Sequence, residues 1–286
     1  MGSEIRSVGV VGGGQMGTGI AQVAAQSGFT VIIVDRSTAT LERSQSTMKR
    51  SMARLVSKGT LTEAVAAEAL ARLTFETSLD SLAYCDLIIE AVPETFEIKA
   101  AVFTELSRIA KPDAILASNT SSISITRIAA ETNRPAQVIG LHFMNPVPMM
   151  KLVEVICGIA TSEETAEAVK GFATALDKTT IESSDLPGFV VNRILVPMIN
   201  EACFALMEGT ASVEDIDTAM KLGANHPMGP FALADLIGLD VCLAIMETLQ
   251  AGFGDPKYRP CPLLRTYVSA GWLGRKSGRG FHIYQP

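Results

Sequence analysis

Apolar positions fall into two regimes along the chain. In the first, short apolar runs alternate with longer stretches of helical period. Ile5 to Val11, Thr30 to Val34, Asp86 to Ala91, Ile115 to Ser118 and Val138 to Leu141 are the short runs. Runs of this length without strict alternation predict strands buried on both faces, as in a parallel sheet. Between them, Met16, Ile20, Val23 and Ala24 recur at helical spacing until Gly28. Phe96 to Ala110 and Glu163 to Leu176 carry the same period, and Thr179 to Glu182 predicts a last strand. Ser37 to Leu73 is longer than a plain crossover needs and predicts an inserted helical pair, about 37–72, hinged near Gly59.

The second regime begins at Asp185-Leu186-Pro187-Gly188, where Pro and Gly stop the strand pattern. Nothing after this point alternates with period two. Phe189 to Met207 predicts a strongly apolar helix ended by Gly209. Ser212 caps another, Pro227-Met228-Gly229-Pro230 breaks it, and Phe231 to Gly252 supplies further helical pattern. The expected domains are therefore 1–185, strands alternating with helices, and 186–286, all helical.

Gly12-Gly13-Gly14-Gln15-Met16-Gly17 directly follows the first strand and opens the first helix. This is G-x-G-x-x-G. Gly12 permits a sharp turn, Gly14 lets the backbone approach a pyrophosphate, and Gly17 lets the helix pack on the strand. The helix start, with Gln15 and Met16, offers N–H groups to an anion. Asp35 ends the second strand, where its carboxylate can accept hydrogen bonds from ribose hydroxyls. It repels a 2′-phosphate and favours NAD over NADP, with Arg36 the one opposing charge. The first domain is thus an α/β, Rossmann-type doubly wound sheet, followed by an all-helical C-terminal domain.

Candidate chemistry centres on residues 140–154. The strand from Val138 delivers His142 to its end. Asn145-Pro146 and Pro148 force a turn, because proline fixes φ and removes a donor. Met150, Leu152, Val153, Val155 and Ile156 predict the next strand, which carries Glu154. A strand, a tight turn and a second strand can bring the imidazole and the carboxylate together as a general base and its orienting acid. The plainer alternative is a turn histidine and a strand glutamate with separate roles. Asn119-Thr120-Ser121-Ser122 follows a strand, in a loop position that carries sites in such sheets. Ser121 and Ser122 can equally cap the next helix. Asn192, in the first turn of its helix, can face back across the boundary or be satisfied by local backbone. Arg50, Arg54 and Lys58 fall at i, i+4 and i+8, a basic line that is either a solvated face or a contact for a polyphosphate tail. The tail from Gly274 to Phe281 is a basic glycine loop with anion-contact potential. His226 and His282 read as structural or solvated.

Composition narrows the classes further. The formal charge of -6, with no long Lys/Arg run, excludes a nucleic-acid surface. No segment has the apolar length of a membrane span, and no secretory signal is evident. The 5 cysteines, Cys85, Cys157, Cys203, Cys242 and Cys261, are far apart and lack CxxC. They fit buried free thiols in a reducing compartment, so a cytoplasmic protein is expected. No His/Cys/carboxylate cluster has metal spacing.

Taken together these motifs resemble the L-3-hydroxyacyl-CoA dehydrogenase family, over nearly the whole length. The resemblance rests on the glycine motif, Ser118 to Ser122, Gly140-Leu141-His142-Phe143 through Glu154, and Asp185 to Arg193. It also rests on Glu214-Asp215-Ile216-Asp217 and Met228-Gly229-Pro230-Phe231. It implies NAD as cofactor and a short-chain acyl-CoA substrate, 3-hydroxybutyryl-CoA or acetoacetyl-CoA, in fatty acid or butanoate metabolism. His142 would be the base and Glu154 its partner. Ser121 and Asn192 would hydrogen-bond the C3 oxygen and the thioester region. Asp35, Glu94, Lys99, Asn145 and Lys276 would touch NAD. Ser51 and Lys58 would touch the CoA portion, with Arg54 on the same line. A homodimer through the helical domain is implied. Two other readings compete: a non-catalytic NAD-binding protein of crystallin type, and a dehydrogenase of small hydroxy acids without CoA. The complete set of His142, Glu154, Ser121 and Asn192 speaks against the first and the basic line against the second.

Overall fold

The computed structural model describes residues 5–284. In the first part of the chain the order is β1 (Ser7–Val11), α1 (Gln15–Gln26), β2 (Thr30–Val34), α2 (Thr38–Ser57), α3 (Glu63–Ala71), β3 (Leu73–Glu76) and β4 (Leu87–Glu90). There follow α4 (Phe96–Ile109), β5 (Ile115–Ser118), α5 (Ile125–Ala129), β6 (Val138–Phe143), β7 (Leu152–Cys157), α6 (Glu163–Ala175) and β8 (Thr179–Ser184). The strands form one sheet in the order β3-β2-β1-β4-β5-β6-β7-β8. From β3 to β6 every pairing is parallel, β7 is antiparallel to β6, and β8 is parallel to β7. This is the doubly wound sheet predicted from the apolar runs. The chain winds outward from β1 in one direction to β3, then returns to β4 on the other side, so the order reverses between β1 and β4. The glycine turn leaves β1 at that reversal, where such sheets hold their ligands.

The central strands explain why the runs were legible. All residues of β4, β5 and β6 are buried, and Val8, Val10, Ile33, Leu87, Ile89, Ile139 and Leu141 belong to the core that α1 and α6 cover. The predicted helical pair is α2 and α3, with Gly59 at φ +69° in the connection. Ser37 and Thr62 cap them through their side-chain oxygens. One strand escaped the sequence reading. Leu73–Glu76 follows α3 with only Arg72 between them, so no turn residue announces it. It is an edge strand whose exposure alternates, and it pairs only with β2.

The chain divides into two units after Asp185. The second holds α7 (Val191–Met207), α8 (Val213–Gly223), α9 (Pro230–Ile237), α10 (Leu239–Phe253) and α11 (Pro262–Ser269). Its core gathers Val196, Ile199, Cys203, Phe231, Leu239, Met246 and Leu264. Ser212 caps α8 by accepting from Asp215 N. The helical pattern from Phe231 to Gly252 is realised as two helices, because Gly238 at φ +107° breaks it. Asp217 and Asp235 tie down the end of the chain. Asp217 Oδ1 accepts from Phe231 N (2.8 Å) and its Oδ2 meets His282 Nε2 (2.9 Å). Asp235, 1% exposed, accepts from the N–H groups of Phe281 and His282 and from the Tyr284 hydroxyl.

At the other end of the first unit, Asp86 clamps the entry of β1. Its Oδ2 accepts from Arg6 N, Ser7 N and Ser7 Oγ, each at 2.8 Å, and its Oδ1 pairs with Lys111. Burial alone would raise this carboxyl. The Lys111 ammonium and the Arg6 and Ser7 donors outweigh it and bring it down to about 2. A depressed folded value gives stability that is present above the ordinary carboxylate pKa and lost as pH falls toward the folded one. Asp86→Asn is therefore expected to destabilise the protein by about 1–2 kcal/mol at pH 7, after allowance for its partial exposure. In denaturant melts the gap to the parent should narrow as pH falls from about 4 toward 2. A gap independent of pH would show that the charge is not what stabilises the clamp.

Candidate active site

β6 and β7 are joined by residues 144–151, too short for a parallel crossover, so the two strands must run antiparallel. In that register His142 lies directly opposite Glu154. Directly opposed residues of a pair lie on the same face, and the two side chains meet: His142 Nδ1 is 2.7 Å from Glu154 Oε2. Glu154 is 0% exposed and His142 7%. A carboxylate accepts, so with Glu154 ionised Nδ1 carries the hydrogen and Nε2 is the basic nitrogen of a neutral ring.

Sequence reasoning missed the residues that brace this pair. Asn119 Oδ1 accepts from Phe143 N at 2.9 Å, tying the loop after β5 to the residue next to His142. Lys178 is 8% exposed, and its Nζ donates to Val147 O and Met150 O, both at 2.7 Å. A buried ammonium thus closes the proline turn through two carbonyls. Burial, and then the charge of Lys151, hold its pKa below the usual lysine value. A lysine just before a strand carries no signal of such a role in the sequence. Asn145, in the same turn, accepts from Gln15 Nε2 at 3.0 Å, so the turn meets the first residue of α1.

The loop Asn119 to Ser122 is organised by Glu94. Glu94 Oε1 accepts from the N–H groups of Ser121 and Ser122 and from the hydroxyls of Thr120, Ser121 and Ser122, at 2.5–3.2 Å. Its Oε2 is 3.2 Å from Lys99 Nζ. Burial pushes this carboxyl up, but Lys99 and the loop donors outweigh it and hold it below the usual range. Neither Ser121 nor Ser122 caps α5. That cap is Ser124, which accepts from Arg127 N and donates its hydroxyl to Asp185. Both earlier serines are drawn off by Glu94, and a carboxylate 27 residues upstream leaves no local sign of this.

The glycine turn has the geometry of a phosphate cradle. Gly12 has φ +109°, and a Cβ there would lie 2.6 Å from Ala91 O. A Cβ on Gly17 would lie 1.9 Å from Gly12 O. Gly14, by contrast, is exposed and meets nothing within 4 Å. It precedes α1, which has no side-chain cap, so the first-turn N–H groups are donors that an anion can take. Asp35 braces the cradle from below: Oδ2 accepts from Gly13 N and Oδ1 from Ser37 N, both at 2.9 Å. These residues fit a dinucleotide.

The remaining site candidates lie as follows. Ser51 is half-buried on α2, and Arg54 and Lys58 are exposed; Arg50 turns back on Ser46 and Thr47. Asn192 is half-buried in the first turn of α7. In the tail, Lys276 pairs with the Asp240 carboxylate at 2.6 and 2.7 Å, while Arg275 and Arg279 sit over the rings of Tyr284 and Trp272. All 5 cysteines are free. Burial pushes Cys85 up to about 11 and Cys242 up to about 12, which leaves both protonated and unreactive. Among the described residues no group of His, Cys, Asp and Glu could hold a metal ion, and no helix is long and apolar enough to cross a membrane.

A phosphate cradle at the reversal of a doubly wound sheet, with a buried imidazole–carboxylate pair near the carboxyl end of β6, defines a dinucleotide-dependent oxidoreductase. Residues 7–186 match the family profile for the 3-hydroxyacyl-CoA dehydrogenase NAD binding domain, and residues 188–284 that for the 3-hydroxyacyl-CoA dehydrogenase C-terminal domain. The chain is 56% identical over 285 residues to a 3-hydroxybutyryl-CoA dehydrogenase of Bradyrhizobium diazoefficiens, covering 100% of this chain and 97% of that one. It is 55% identical to a probable 3-hydroxybutyryl-CoA dehydrogenase of Bacillus subtilis, covering 99% and 98%. A crystal structure of (S)-3-hydroxybutyryl-CoA dehydrogenase from Ralstonia eutropha superposes with a TM-score of 0.97 at 52% identity, covering 99% and 100%. The chain belongs to the 3-hydroxyacyl-CoA dehydrogenase family, and it is an NAD-dependent dehydrogenase.

One crowded and one open glycine position separate stability from binding. Gly17→Ala is expected to lower the thermal midpoint by several degrees and to abolish NADH binding, because backbone must move to admit the methyl group. Gly14→Ala is expected to melt like the parent while weakening NADH about tenfold, read by NADH fluorescence titration. Equal effects of the two substitutions on melting would contradict the geometry of the turn.

Proposed function

We propose that the enzyme interconverts 3-hydroxybutyryl-CoA and acetoacetyl-CoA with NAD, using His142 as the acid/base and Glu154 as its partner. The observation that carries this reading is the buried 2.7 Å contact between His142 Nδ1 and Glu154 Oε2. The similarity to 3-hydroxybutyryl-CoA dehydrogenases over the full chain supports the choice of substrate. The cofactor supplies the hydride acceptor in oxidation and the donor in reduction. In oxidation His142 Nε2 takes the proton of the 3-hydroxyl. In reduction the imidazolium returns it to the ketone oxygen. Glu154 keeps the proton on Nδ1 and stabilises the imidazolium, which a neutral partner would not. Ser121 and Asn192 hydrogen-bond the C3 oxygen and the thioester region while charge develops there. Ser121 Oγ lies 3.2 Å from Glu94 Oε1, and its rotatable hydroxyl can turn its hydrogen to the C3 oxygen as charge develops there.

Gly12, Gly14, Gln15, Met16 and Gly17 take the cofactor's pyrophosphate, and Asp35 its adenosine ribose. Glu94 and its partner Lys99, Asn145 and Lys276 are further cofactor contacts. Ser51, Arg54 and Lys58 take the CoA portion, for which an exposed basic line on α2 is suited. Residues 186–286 serve as the substrate and dimerisation domain. Exposed Ile194, Leu222 and Leu236 support a homodimer through it, and the free cysteines support a cytoplasmic setting.

The test is NADH absorbance with acetoacetyl-CoA against free acetoacetate at equal concentration. Oxidation of NADH by the thioester and little by the free acid is expected. Equal rates would remove CoA recognition from the reading. His142→Ala should lower kcat at least about a thousandfold, from lost acid/base catalysis, with NADH affinity kept. Glu154→Gln should cost about ten- to a hundredfold. Substantial turnover in His142→Ala would refute the assignment. Sedimentation at twice the chain mass, reverting on Ile194→Glu or Leu236→Glu, would test the dimer face.

A further inference from the structure

Glu90 ends β4 with no part in the chemistry above, yet it is 0% exposed and ionisable. Its Oε1 accepts from Lys99 Nζ and from Val92 N, each at 2.7 Å, and its Oε2 from Ser118 Oγ at 2.7 Å. Burial raises this carboxyl, against the pull of Lys99, Ser118 and the Val92 N–H. Lys99 is itself 1% exposed. An ammonium has three donors, and three acceptors surround this one: Glu90 Oε1 at 2.7 Å, Glu94 Oε2 at 3.2 Å and Val92 O at 3.4 Å. The head group can therefore hold one orientation only, and that orientation fixes Glu94.

From Glu90 two tethers run to the same loop. One passes through Lys99 to Glu94, whose Oε1 gathers Thr120, Ser121 and Ser122. The other passes through Ser118 Oγ, which accepts from Thr120 N at 3.3 Å. Two acids around one buried cation are a poor device for stability alone, since each desolvated charge costs several kcal/mol. A fully satisfied buried network is a good device for holding one geometry.

We propose that Glu90 is a positioning residue for the dehydrogenase reaction: through Lys99 and Ser118 it fixes Glu94 and the 119–122 loop, and so sets the direction of the Ser121 hydroxyl. The proposal rests on the reading of Ser121 as a contact to the substrate's C3 oxygen. When the tethers are intact, the Ser121 N–H and Oγ are both held against Glu94 Oε1, at 2.8 and 3.2 Å, and the hydroxyl oxygen is fixed in place. When they loosen, the hydroxyl samples other rotamers and the reacting oxygen loses its alignment. Misplacement on the scale of an ångström costs up to about a hundredfold in rate.

The experiment is a double-mutant cycle on the full-length enzyme, with NADH saturating and acetoacetyl-CoA varied. Glu90→Gln keeps the shape and removes the charge. It is expected to lower kcat about tenfold, with KM for acetoacetyl-CoA changed less than twofold. In a Ser121→Ala background the same substitution should cost less than twofold, because the hydroxyl it positions is already gone. A residue that merely holds the fold together would cost the same in both backgrounds, and that additive result overturns the proposal. Full activity of Glu90→Gln overturns it as well. Should Glu90→Gln fail to fold, Ser118→Ala removes the second tether while leaving all charges in place. It is expected to lower kcat about threefold in the parent and not at all beside Ser121→Ala; additivity there is equally fatal. An unchanged kcat/KM in Ser121→Ala by itself refutes the reading of Ser121, a separate failure visible before any Glu90 variant is made.

Discussion

An imidazole can be kept against a carboxylate inside a protein only if both are fixed to one frame. Here the frame is a single antiparallel pairing in a sheet that is otherwise parallel up to that point. The reversal comes from chain length: residues 144–151 cannot span a crossover, so β7 must turn back along β6. Once it does, the register decides which side chains face. His142 falls opposite Glu154, and a slip of one residue would send one of them to the other face of the sheet. The proline turn, the Asn119 bond to Phe143 and the Lys178 bonds to the turn carbonyls all act to prevent that slip.

Burying this pair carries a cost that burial of apolar groups elsewhere must offset. The same is true of Glu90 with Lys99, and of Lys178, whose ammonium donates to the carbonyls of Val147 and Met150. Glu90, His142 and Glu154 lie on β4, β6 and β7, Lys99 on α4 and Lys178 just before β8, while Leu87, Ile89, Ala117, Ile139, Leu141 and Val155 on the same sheet are all fully buried. Rigid apolar strands let polar side chains be held at hydrogen-bond distance without help from water. The site is thus built of strongly held parts on a strongly packed sheet.

How much of this was legible in the sequence depended on the range of the interaction. The parallel strands were legible because burial on both faces leaves an uninterrupted apolar run. The glycine turn was legible because backbone geometry demands glycine at Gly12 and Gly17. His142 and Glu154 were legible as candidates because a connection of 8 residues with prolines, 144–151, between two strands admits few arrangements. β3 was not, since it follows α3 without a breaking residue, and α11, beginning at Pro262, is only 8 residues long, too short to show a helical period. The bracing residues were invisible for a different reason. Glu94 reaches Ser121 across 27 positions, Lys178 reaches Val147 across 31, and Asp185 reaches Ser124 across 61. Only the folded sheet brings such partners together. Capping by Ser121 or Ser122, open in the sequence, does not occur, because the competing acceptor lies on another strand's loop.

The glycine turn and the imidazole pair share one design principle, that the polar groups are oriented before any ligand arrives. Asp35 shows it most directly. Both its oxygens are already engaged by N–H groups of Gly13 and Ser37, so the carboxylate is held at the lip of the cradle instead of swinging in solvent. A carboxylate oxygen has room for a second donor. A ribose hydroxyl can therefore add to Asp35 without displacing the bonds that shape the turn. The entropy of ordering the acceptor is then lost on folding and not on binding. The same reasoning applies to the 119–122 loop, whose backbone N–H groups at Ser121 and Ser122 are held on Glu94 Oε1 in advance.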